Sequence, residues 1–369
     1  MKKILFAATI ADHFYYFHLP YLKFFHDEGW EVHVAARGDR KLPDCDFQHN
    51  IPFERSPFSK GNIEAYKQLK KVIDENDFDI IHCHTPMGGM LSRIAASEKR
   101  KNGTKVIYTA HGFHFFKGAP LVNWAIYFPI EWAMSKKTDC LITINDEDYA
   151  FAKKHFKHPQ VKKVDGVGYN SDLFYPVSEE EKNQLRRSKG YFAEDKLLIY
   201  VAELNANKNQ GLLLDMMSKL KSKNVRLLLA GADNFAGEYQ KKAKALGVED
   251  RIDFLGHRED VDQLIKMSDI CVASSLREGL PVNVMEVMAV GLPVVAVDNR
   301  GHRGLVNDGE DGFIVAPGDS DLMAEKVGSL LENEMLYNSF SQKASENIKR
   351  FSKDAVCIRM KKVYSEFMR

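Results

Sequence analysis

The sequence predicts an α/β protein built from two doubly wound units, each with parallel strands between layers of helices. Three observations support this prediction. The 369 residues suit two domains, short runs rich in Val and Ile alternate with stretches of helical spacing, and the alternation starts again part-way along the chain. A cluster of Gly, Pro, Asn, Ser and charged residues at 166–189 is typical of a junction between two domains.

The first unit is predicted to comprise residues 1–170. Its strands are short, apolar and bounded by polar or turn residues, and we place them at 3–8, 31–35, 79–83, 105–109 and 139–143. Helical spacing of apolar residues predicts helices at 15–27, 63–75, 89–99 and 124–135. Strand–helix alternation makes the strands parallel and puts helices on both faces of the sheet.

The second unit is predicted to comprise residues 171–352. Its strands are placed at 196–202, 225–230, 251–254, 270–273 and 293–296. Its helices are placed at 210–221, 238–246, 261–267 and 283–290. The last segment, 353–369, has the pattern of one more amphipathic helix, and we assign it to the first unit. Ligands of such sheets bind beyond the carboxyl ends of the strands, so polar residues there are the candidates for function.

Composition excludes several classes of protein. The net charge of +1 gives no global attraction to nucleic acid, and five scattered cysteines without a CxxC spacing argue against a zinc ribbon and for a reducing compartment. Asp12 and His13 interrupt the first apolar run, which favours a buried strand over a signal peptide. The sequence has no run of about 20 apolar residues, so no segment is predicted to span a membrane. We therefore expect a cytoplasmic protein.

Charge is divided unevenly along the chain. Residues 1–170 and 353–369 together hold 29 Lys and Arg against 22 Asp and Glu, whereas residues 171–352 hold 23 against 29. Chance is one explanation for this division. The alternative is that the basic first unit faces an anionic surface such as the cytoplasmic leaflet of a membrane.

The most informative motif is SLREGLPVNVME at 275–286, which follows a predicted strand and enters a helix. Glu278 and Glu286 flank the start of that helix, Gly279 permits close approach of the backbone, and Pro281 suits a first helical turn. Free N–H groups at the helix start and two carboxylates would suit an anion and sugar hydroxyls. An ordinary helix cap and a solvated helix residue are the alternative interpretation.

Four further motifs accompany this pair of glutamates: AVGLPVVA at 289–296, DGEDGFIVAPGD at 308–319, IHCHTPMGG at 81–89 and YTAHGFHFFKG at 108–118. Together with the glutamate pair they resemble the retaining glycosyltransferases of family 4. The first-half motifs resemble the subgroup that makes capsular and exopolysaccharide repeat units. The resemblance implies the GT-B fold, in which two Rossmann-like domains face a cleft and a C-terminal helix crosses back to the first domain.

The resemblance also implies roles for individual residues. Glu278, with the backbone of Gly279, Leu280 and Pro281, would hold the donor sugar, and Glu286 would hold the ribose hydroxyls of the nucleotide. Lys208, just before a helix, would neutralise the leaving diphosphate. The resemblance also places His111 on the donor sugar and phosphate, and the segment from Gly256 to Arg258 at the base.

Two positions depart from the family pattern. Glu203 stands where the family usually has a phosphate-binding arginine, and Gly304 stands where it often has an acid. We predict that Arg303, in a glycine-containing loop after a strand, supplies the missing cation, because a planar guanidinium can bond two phosphate oxygens. Gly301 and Gly304 would let the backbone approach the ligand, and Glu203 would orient Lys208 or Arg303.

Histidines and carboxylates also permit a metal hypothesis. His82 and His84 lie on one side of a strand, and His111 and His114 would complete a zinc-like cluster. Asp-x-Asp triplets occur at 44–46, 77–79 and 319–321, and we interpret all three as turns and caps. The prediction is that the protein needs no metal or other cofactor.

On the acceptor side, the candidate residues are His13, Ser59, Lys60 and His84. Aromatic residues crowd the first unit, and besides forming its core a subset beside lysines would suit contact with a bilayer. A peripheral enzyme of this kind would use a lipid-linked acceptor.

We therefore predict a retaining, metal-independent hexosyl or N-acetylhexosaminyl transferase. It would use a nucleotide diphosphate sugar, with UDP as the expected nucleotide. The acceptor would be a saccharide or a polyprenyl-diphosphate-linked saccharide of surface polysaccharide synthesis. The rivals are a non-catalytic sugar-nucleotide-binding scaffold and a metal hydrolase built on the histidines.

Overall fold

The computed structural model describes residues 1–222 and 224–368. The chain divides into two compact units. The first comprises residues 1–167 and the chain from Val356 onward, and the second comprises residues 168–355. Both boundaries lie three residues from those that the sequence suggested.

The first unit contains a seven-stranded, wholly parallel sheet in the order β3-β2-β1-β4-β5-β6-β7. Its strands are β1 Lys3–Ile10, β2 Glu31–Arg37, β3 Phe47–Asn50, β4 Ile80–His84, β5 Lys105–Ala110, β6 Cys140–Thr143 and β7 Gln160–Lys163. Its helices are α1 Asp12–Phe17, α2 Leu19–Asp27, α3 Gly61–Glu75, α4 Pro86–Ala95, α5 Ser97–Lys101, α6 Leu121–Ser135 and α7 Asp146–His155.

The second unit contains a six-stranded parallel sheet in the order β10-β9-β8-β11-β12-β13. Its strands are β8 Lys196–Val201, β9 Val225–Ala230, β10 Ile252–Gly256, β11 Ile270–Ala273, β12 Val294–Val297 and β13 Gly312–Val315. Its helices are α8 Glu179–Ser188, α9 Gln210–Lys219, α10 Glu238–Ala245, α11 Val261–Lys266, α12 Val282–Ala289, α13 Arg300–Arg303, α14 Ser320–Glu332 and α15 Glu334–Asn347. A final helix, α16, spans Lys353–Ser365.

The core of the first unit lies on both faces of its sheet. Leu5 and Ala7 of β1 belong to one buried cluster, whereas Ile4 and Phe6 belong to the other, as the two-residue period of a strand requires. Side chains of α16 complete the second cluster, and Tyr364 is fully buried in it. The predicted fold class of two doubly wound parallel-sheet domains, with a last helix that returns to the first, is confirmed.

The helix predicted at 15–27 is in fact two helices. α1 ends at Phe17 and α2 begins at Leu19, with His18 between them in a non-helical conformation. Pro20 explains the break, because proline cannot donate the backbone hydrogen bond that a continuous helix needs. This break places His18 beside the carboxyl ends of β1 and β4.

None of the helices in residues 1–222 and 224–368 has both the length and the apolar character needed to cross a bilayer.

Candidate active site

Lys208 and Glu278 form an ion pair at the carboxyl edge of the second sheet. Their loops follow β8 and β11, which are neighbours in that sheet, and Lys208 Nζ lies 2.6 Å from Glu278 Oε1. The hydroxyl of Ser274 donates to the carbonyl of Lys208 at 2.7 Å, and Lys208 N–H donates to Asn205 Oδ1 at 2.9 Å. The two loops are therefore fixed to each other, with a cation and an anion together.

Helix α13 supports the loop that carries Glu278. A Cβ atom on Gly301 would lie 2.6 Å from Glu278 Cβ and 3.0 Å from Pro281 Cδ, so only glycine allows this packing. A Cβ atom on Gly304 would lie 3.1 Å from Leu280 Cδ1. The loop 278–281 occupies the side of these glycines where a Cβ atom would lie, so they have a packing role, and their role in ligand approach stays a prediction.

Arg300 is a residue of this site that the sequence did not point to. Its side chain is 7% exposed, and its Nε donates to the backbone carbonyl of Glu278 at 3.3 Å. The signal for it was weak, because a buried arginine and an exposed one look alike in a polar loop. Arg300 therefore stabilises the backbone of the loop that carries Glu278.

Glu286 lies on α12, eight residues after Glu278, and is partly buried. Burial raises the pKa of its carboxyl to about 8. Neither carboxyl oxygen has a hydrogen-bond partner within the described ranges 1–222 and 224–368. An unpaired, desolvated carboxyl is an acceptor that suits hydroxyl groups of a ligand.

Arg258 and Arg303 are both engaged by neighbouring acids. The guanidinium of Arg258 donates twice to Asp260, at 2.7 and 2.6 Å, and Arg303 pairs with Asp298. The hypothesis that Glu203 orients Lys208 or Arg303 is wrong. The carboxylate of Glu203 instead accepts from the side-chain amide of Asn234 at 3.2 Å.

In the first unit, four histidines gather at the carboxyl edge of the sheet. His13 lies in α1, His18 follows it, His84 ends β4 and His111 follows β5. His13 Nε2 lies 3.0 Å from His18 Nε2, and His84 Nδ1 lies 3.3 Å from His111 Nε2. Burial lowers all four pKa values, that of His111 to about 4, so these imidazoles are neutral at physiological pH.

Two histidines of the hypothetical metal set lie outside this cluster. His82 uses both ring nitrogens elsewhere, on the hydroxyl of Tyr364 at 2.7 Å and that of Thr109 at 2.9 Å. The ring of His114 stacks on Tyr127, with centroids 4.6 Å apart. The predicted grouping of His82, His84, His111 and His114 is therefore wrong, since His13 and His18 take the places of the other two.

The acceptor-side candidates occupy two different places in the first unit. His13 and His84 belong to the histidine cluster. Ser59 and Lys60 precede α3 in a surface loop, where Asn62 N–H donates to Ser59 carbonyl at 3.2 Å. Neither Ser59 nor Lys60 shares a hydrogen bond with the histidines in the part of the chain that the structure describes.

The Asp-x-Asp triplets have structural roles, in agreement with their interpretation as turns and caps. Asp46 accepts from Val32 N–H and Asp79 from Lys3 N–H, both at 2.8 Å. Asp319 caps α14 by accepting from Leu322 N–H at 2.9 Å.

Both halves of the chain match known protein families. Residues 3–145 match the family described as "Glycosyl transferase 4-like", and residues 181–347 match "Glycosyl transferases group 1". The chain belongs to these glycosyltransferase families. This glycosyltransferase is 47% identical over 371 residues to EpsD of Bacillus subtilis (strain 168), which carries a provisional glycosyltransferase name. The match covers 100% of this chain and 97% of the relative.

A more distant relative comes from Campylobacter jejuni. It is N,N'-diacetylbacillosaminyl-diphospho-undecaprenol alpha-1,3-N-acetylgalactosaminyltransferase, which is 24% identical over 100% of this chain and 99% of the relative. Among solved structures, Anabaena Alr3699/HepE in complex with UDP and glucose matches with a TM-score of 0.80 and 20% identity, over 99% of this chain and 100% of that chain. The glycosyltransferase therefore has the GT-B fold, as predicted.

Proposed function

We propose that this glycosyltransferase moves a hexosyl or N-acetylhexosaminyl group from a UDP-sugar to a lipid-linked saccharide, with retention of anomeric configuration and without a metal. The product would enter a surface polysaccharide of the capsular or exopolysaccharide type. The second unit would bind the donor, and the basic first unit would bind the acceptor.

The observation that carries the proposal is the Lys208–Glu278 ion pair, together with Glu286, whose carboxyl has no hydrogen-bond partner among residues 1–222 and 224–368. A diphosphate would draw the ammonium of Lys208 away from Glu278, which frees that carboxylate for the hydroxyls of the donor sugar. Negative charge grows on the leaving diphosphate in the transition state, and a fixed cation stabilises it there. The carboxyl of Glu286 has no hydrogen bond within residues 1–222 and 224–368 that a ligand would first have to break, so it would accept directly from the ribose hydroxyls.

Four further residues would complete the donor site. The backbone of Gly279, beside Leu280 and Pro281 at the start of α12, would meet the sugar, and Arg258 would lie near the base. Arg303 would leave Asp298 to meet the diphosphate as a second cation. His111 would contact the donor from the first unit, where its neutral imidazole can either donate or accept a hydrogen bond.

The choice of donor and acceptor is supported by the relatives. HepE was solved with UDP and glucose, and the Campylobacter jejuni enzyme is named for a diphospho-undecaprenol acceptor. A polyprenyl-diphosphate acceptor is a lipid, so the enzyme must meet the inner face of the cell membrane to reach it.

Helix α6 supports this peripheral membrane contact. Its exposed side chains are Leu121, Val122, Ala125, Pro129 and Trp132, all of them apolar and most of them at helical spacing. Lys136 Nζ lies 3.8 Å from the ring centre of Trp132. An exposed apolar stripe beside a lysine is typical of a helix that lies in the interface of a membrane.

The test is a kinetic comparison of Glu278→Gln and Glu286→Gln, with Glu310→Gln as the control for removing an exposed carboxylate from the same unit. Because Glu278 faces the reacting sugar, its loss should lower kcat by about 100-fold or more. Loss of Glu286 should instead raise the KM for donor, because the ribose is remote from the reaction. EDTA should not lower the wild-type rate.

Wild-type kinetics in both variants would refute the site. Donor binding without transfer to any acceptor would favour a scaffold. Loss of activity in EDTA, with recovery in manganese, would refute metal independence.

A further inference from the structure

The four clustered histidines have the geometry of a metal site. One ring nitrogen from each of His13, His18, His84 and His111 lies within 4.8 Å of the other three. They come from four places in the first unit: helix α1, the break before α2, the end of β4 and the loop after β5. A site assembled from separate elements of a rigid sheet edge keeps its shape without the ligand.

The cluster has no ordinary partners in the protein. Its hydrogen bonds are two contacts between histidines, and the described parts of the chain, 1–222 and 224–368, give these rings no carboxylate or backbone carbonyl. His18 Nδ1 and His84 Nε2 are buried with no hydrogen-bond partner within the same ranges. Buried polar atoms are nearly always paired, so the described protein groups leave these two rings incompletely satisfied.

The distances suit a tetrahedral ion. Zinc–nitrogen bonds of about 2.0–2.1 Å put tetrahedral ligand atoms about 3.3 Å apart. The contacts between His13 and His18 and between His84 and His111, at 3.0 and 3.3 Å, already have this spacing. Taking one nitrogen from each of the four rings, no separation exceeds 4.8 Å. Four imidazoles without carboxylates favour zinc over magnesium or calcium.

We propose that His13, His18, His84 and His111 bind one zinc ion, and that the ion inhibits sugar transfer. The inhibition rests on the proposed function, because His111 is the residue assigned to the donor. An imidazole bound to zinc cannot bond the donor sugar or phosphate through the same nitrogen. The ion is thus a regulator of this enzyme and takes no part in its chemistry.

The binding test uses tag-free, full-length enzyme that has been stripped with EDTA and dialysed. Cobalt serves as the probe, because tetrahedral cobalt absorbs visible light, and zinc is then added to displace it. We expect one equivalent of cobalt with a tetrahedral spectrum, displaced by one equivalent of zinc. His13→Gln and His84→Gln should weaken binding at least tenfold, whereas His26→Gln, which removes an exposed histidine of the same unit, should not.

Thermal unfolding without metal checks that each variant is folded. A folded wild-type enzyme that binds neither cobalt nor zinc, or a folded His13→Gln variant that binds as well as wild type, would overturn the site.

Activity separates this proposal from the previous one. Inhibition by one equivalent of zinc, reversed by EDTA, supports both. Tight binding of zinc without inhibition would keep the site and overturn its inhibitory role together with the role of His111. If His111→Ala loses transfer and the wild-type enzyme binds no zinc, the proposed function is kept and the zinc site is overturned.

Discussion

At the scale of single residues, Glu286 is the side chain of the proposed donor site that lowers the stability of the fold. A carboxyl without a partner in a desolvated place favours its protonated form, which is why burial raises its pKa to about 8. The unfolded chain has no such restriction, and there the carboxyl ionises near pH 4.5. Binding geometry is therefore kept at the expense of stability, as is common in active sites.

Glu286→Gln should stabilise the enzyme in a pH-dependent way. Below pH 4.5 both folded and unfolded chains carry a protonated Glu286, so the variant gains nothing from this effect. The penalty of the wild type grows between pH 4.5 and about 8 and is constant above that range. We expect a gain on the order of 2–4 kcal/mol at pH 8, measured by denaturant unfolding. An equal gain at pH 4.5 and pH 8 would contradict the assignment.

Arg303→Ala should weaken donor binding while the fold is kept, because Arg303 is an exposed residue paired with Asp298. Loss of one cation from a diphosphate site costs about 1.5–3 kcal/mol, which corresponds to a rise of roughly tenfold or more in the donor KM. Asp298→Asn is the matched control, since it removes the partner in the free enzyme and leaves the cation. Wild-type kinetics for Arg303→Ala, with Lys208→Ala inactive, would exclude the compensating role.

Residues positioned by the order of strands could be predicted from the sequence, whereas residues positioned by local helix geometry could not. Lys208 and Glu278 follow neighbouring parallel strands, and strand alternation alone brings such loops together. His18 and Arg300 could not be found in this way. His18 depends on a helix break of one residue, and Arg300 depends on how a four-residue helix packs under a loop.

At the scale of elements, the sequence predicted the central strands well and missed three of the four edge strands, β3, β7 and β13. β9 and β11 have the predicted bounds, Val225–Ala230 and Ile270–Ala273, because strands buried on both faces are continuous apolar runs. β3 reads FQHN and β7 reads QVKK, and their polar side chains are typical of strands with one open side. Such segments carry no signal until a neighbouring strand is known.

Helix α6 is the element on which membrane contact is tested. Leu121 and Val122 are 85% and 58% exposed, so Leu121→Ser with Val122→Ser should leave the fold intact. Each apolar side chain that enters a bilayer contributes roughly 1.5–3 kcal/mol, so the double variant should bind anionic liposomes at least about tenfold more weakly. The measurement is co-sedimentation at low and high salt. Salt should weaken wild-type binding, because basic residues of the first unit face the anionic lipid.

Phe192→Ser is the matched control for that experiment, because Phe192 is an equally exposed apolar residue of the second unit. An equal loss in Phe192→Ser would argue against the role of α6. Equal binding of wild type to neutral and anionic liposomes would argue against the role of the basic residues.

At the scale of the whole molecule, the two units differ in charge and in the chemistry at their sheet edges. The second unit is acidic overall yet presents Lys208 at the carboxyl edge of its sheet, and the first is basic overall yet presents neutral histidines. The net charge of a unit therefore does not predict the charge at the carboxyl edge of its sheet. The chemistry of each candidate site depends on a few side chains at the carboxyl edge of its sheet.

The return of α16 to the first unit has a consequence for biosynthesis. Val356, Met360 and Tyr364 of α16 are core residues of the first unit, whose seven strands are all synthesised earlier. The hydroxyl of Tyr364 forms a hydrogen bond with His82, 282 residues earlier. During translation the second unit, which is continuous from 168 to 355, leaves the ribosome before the first unit has its complete core. The core of the first unit is thus completed last, and a nascent chain that stops before α16 carries an unfinished first unit.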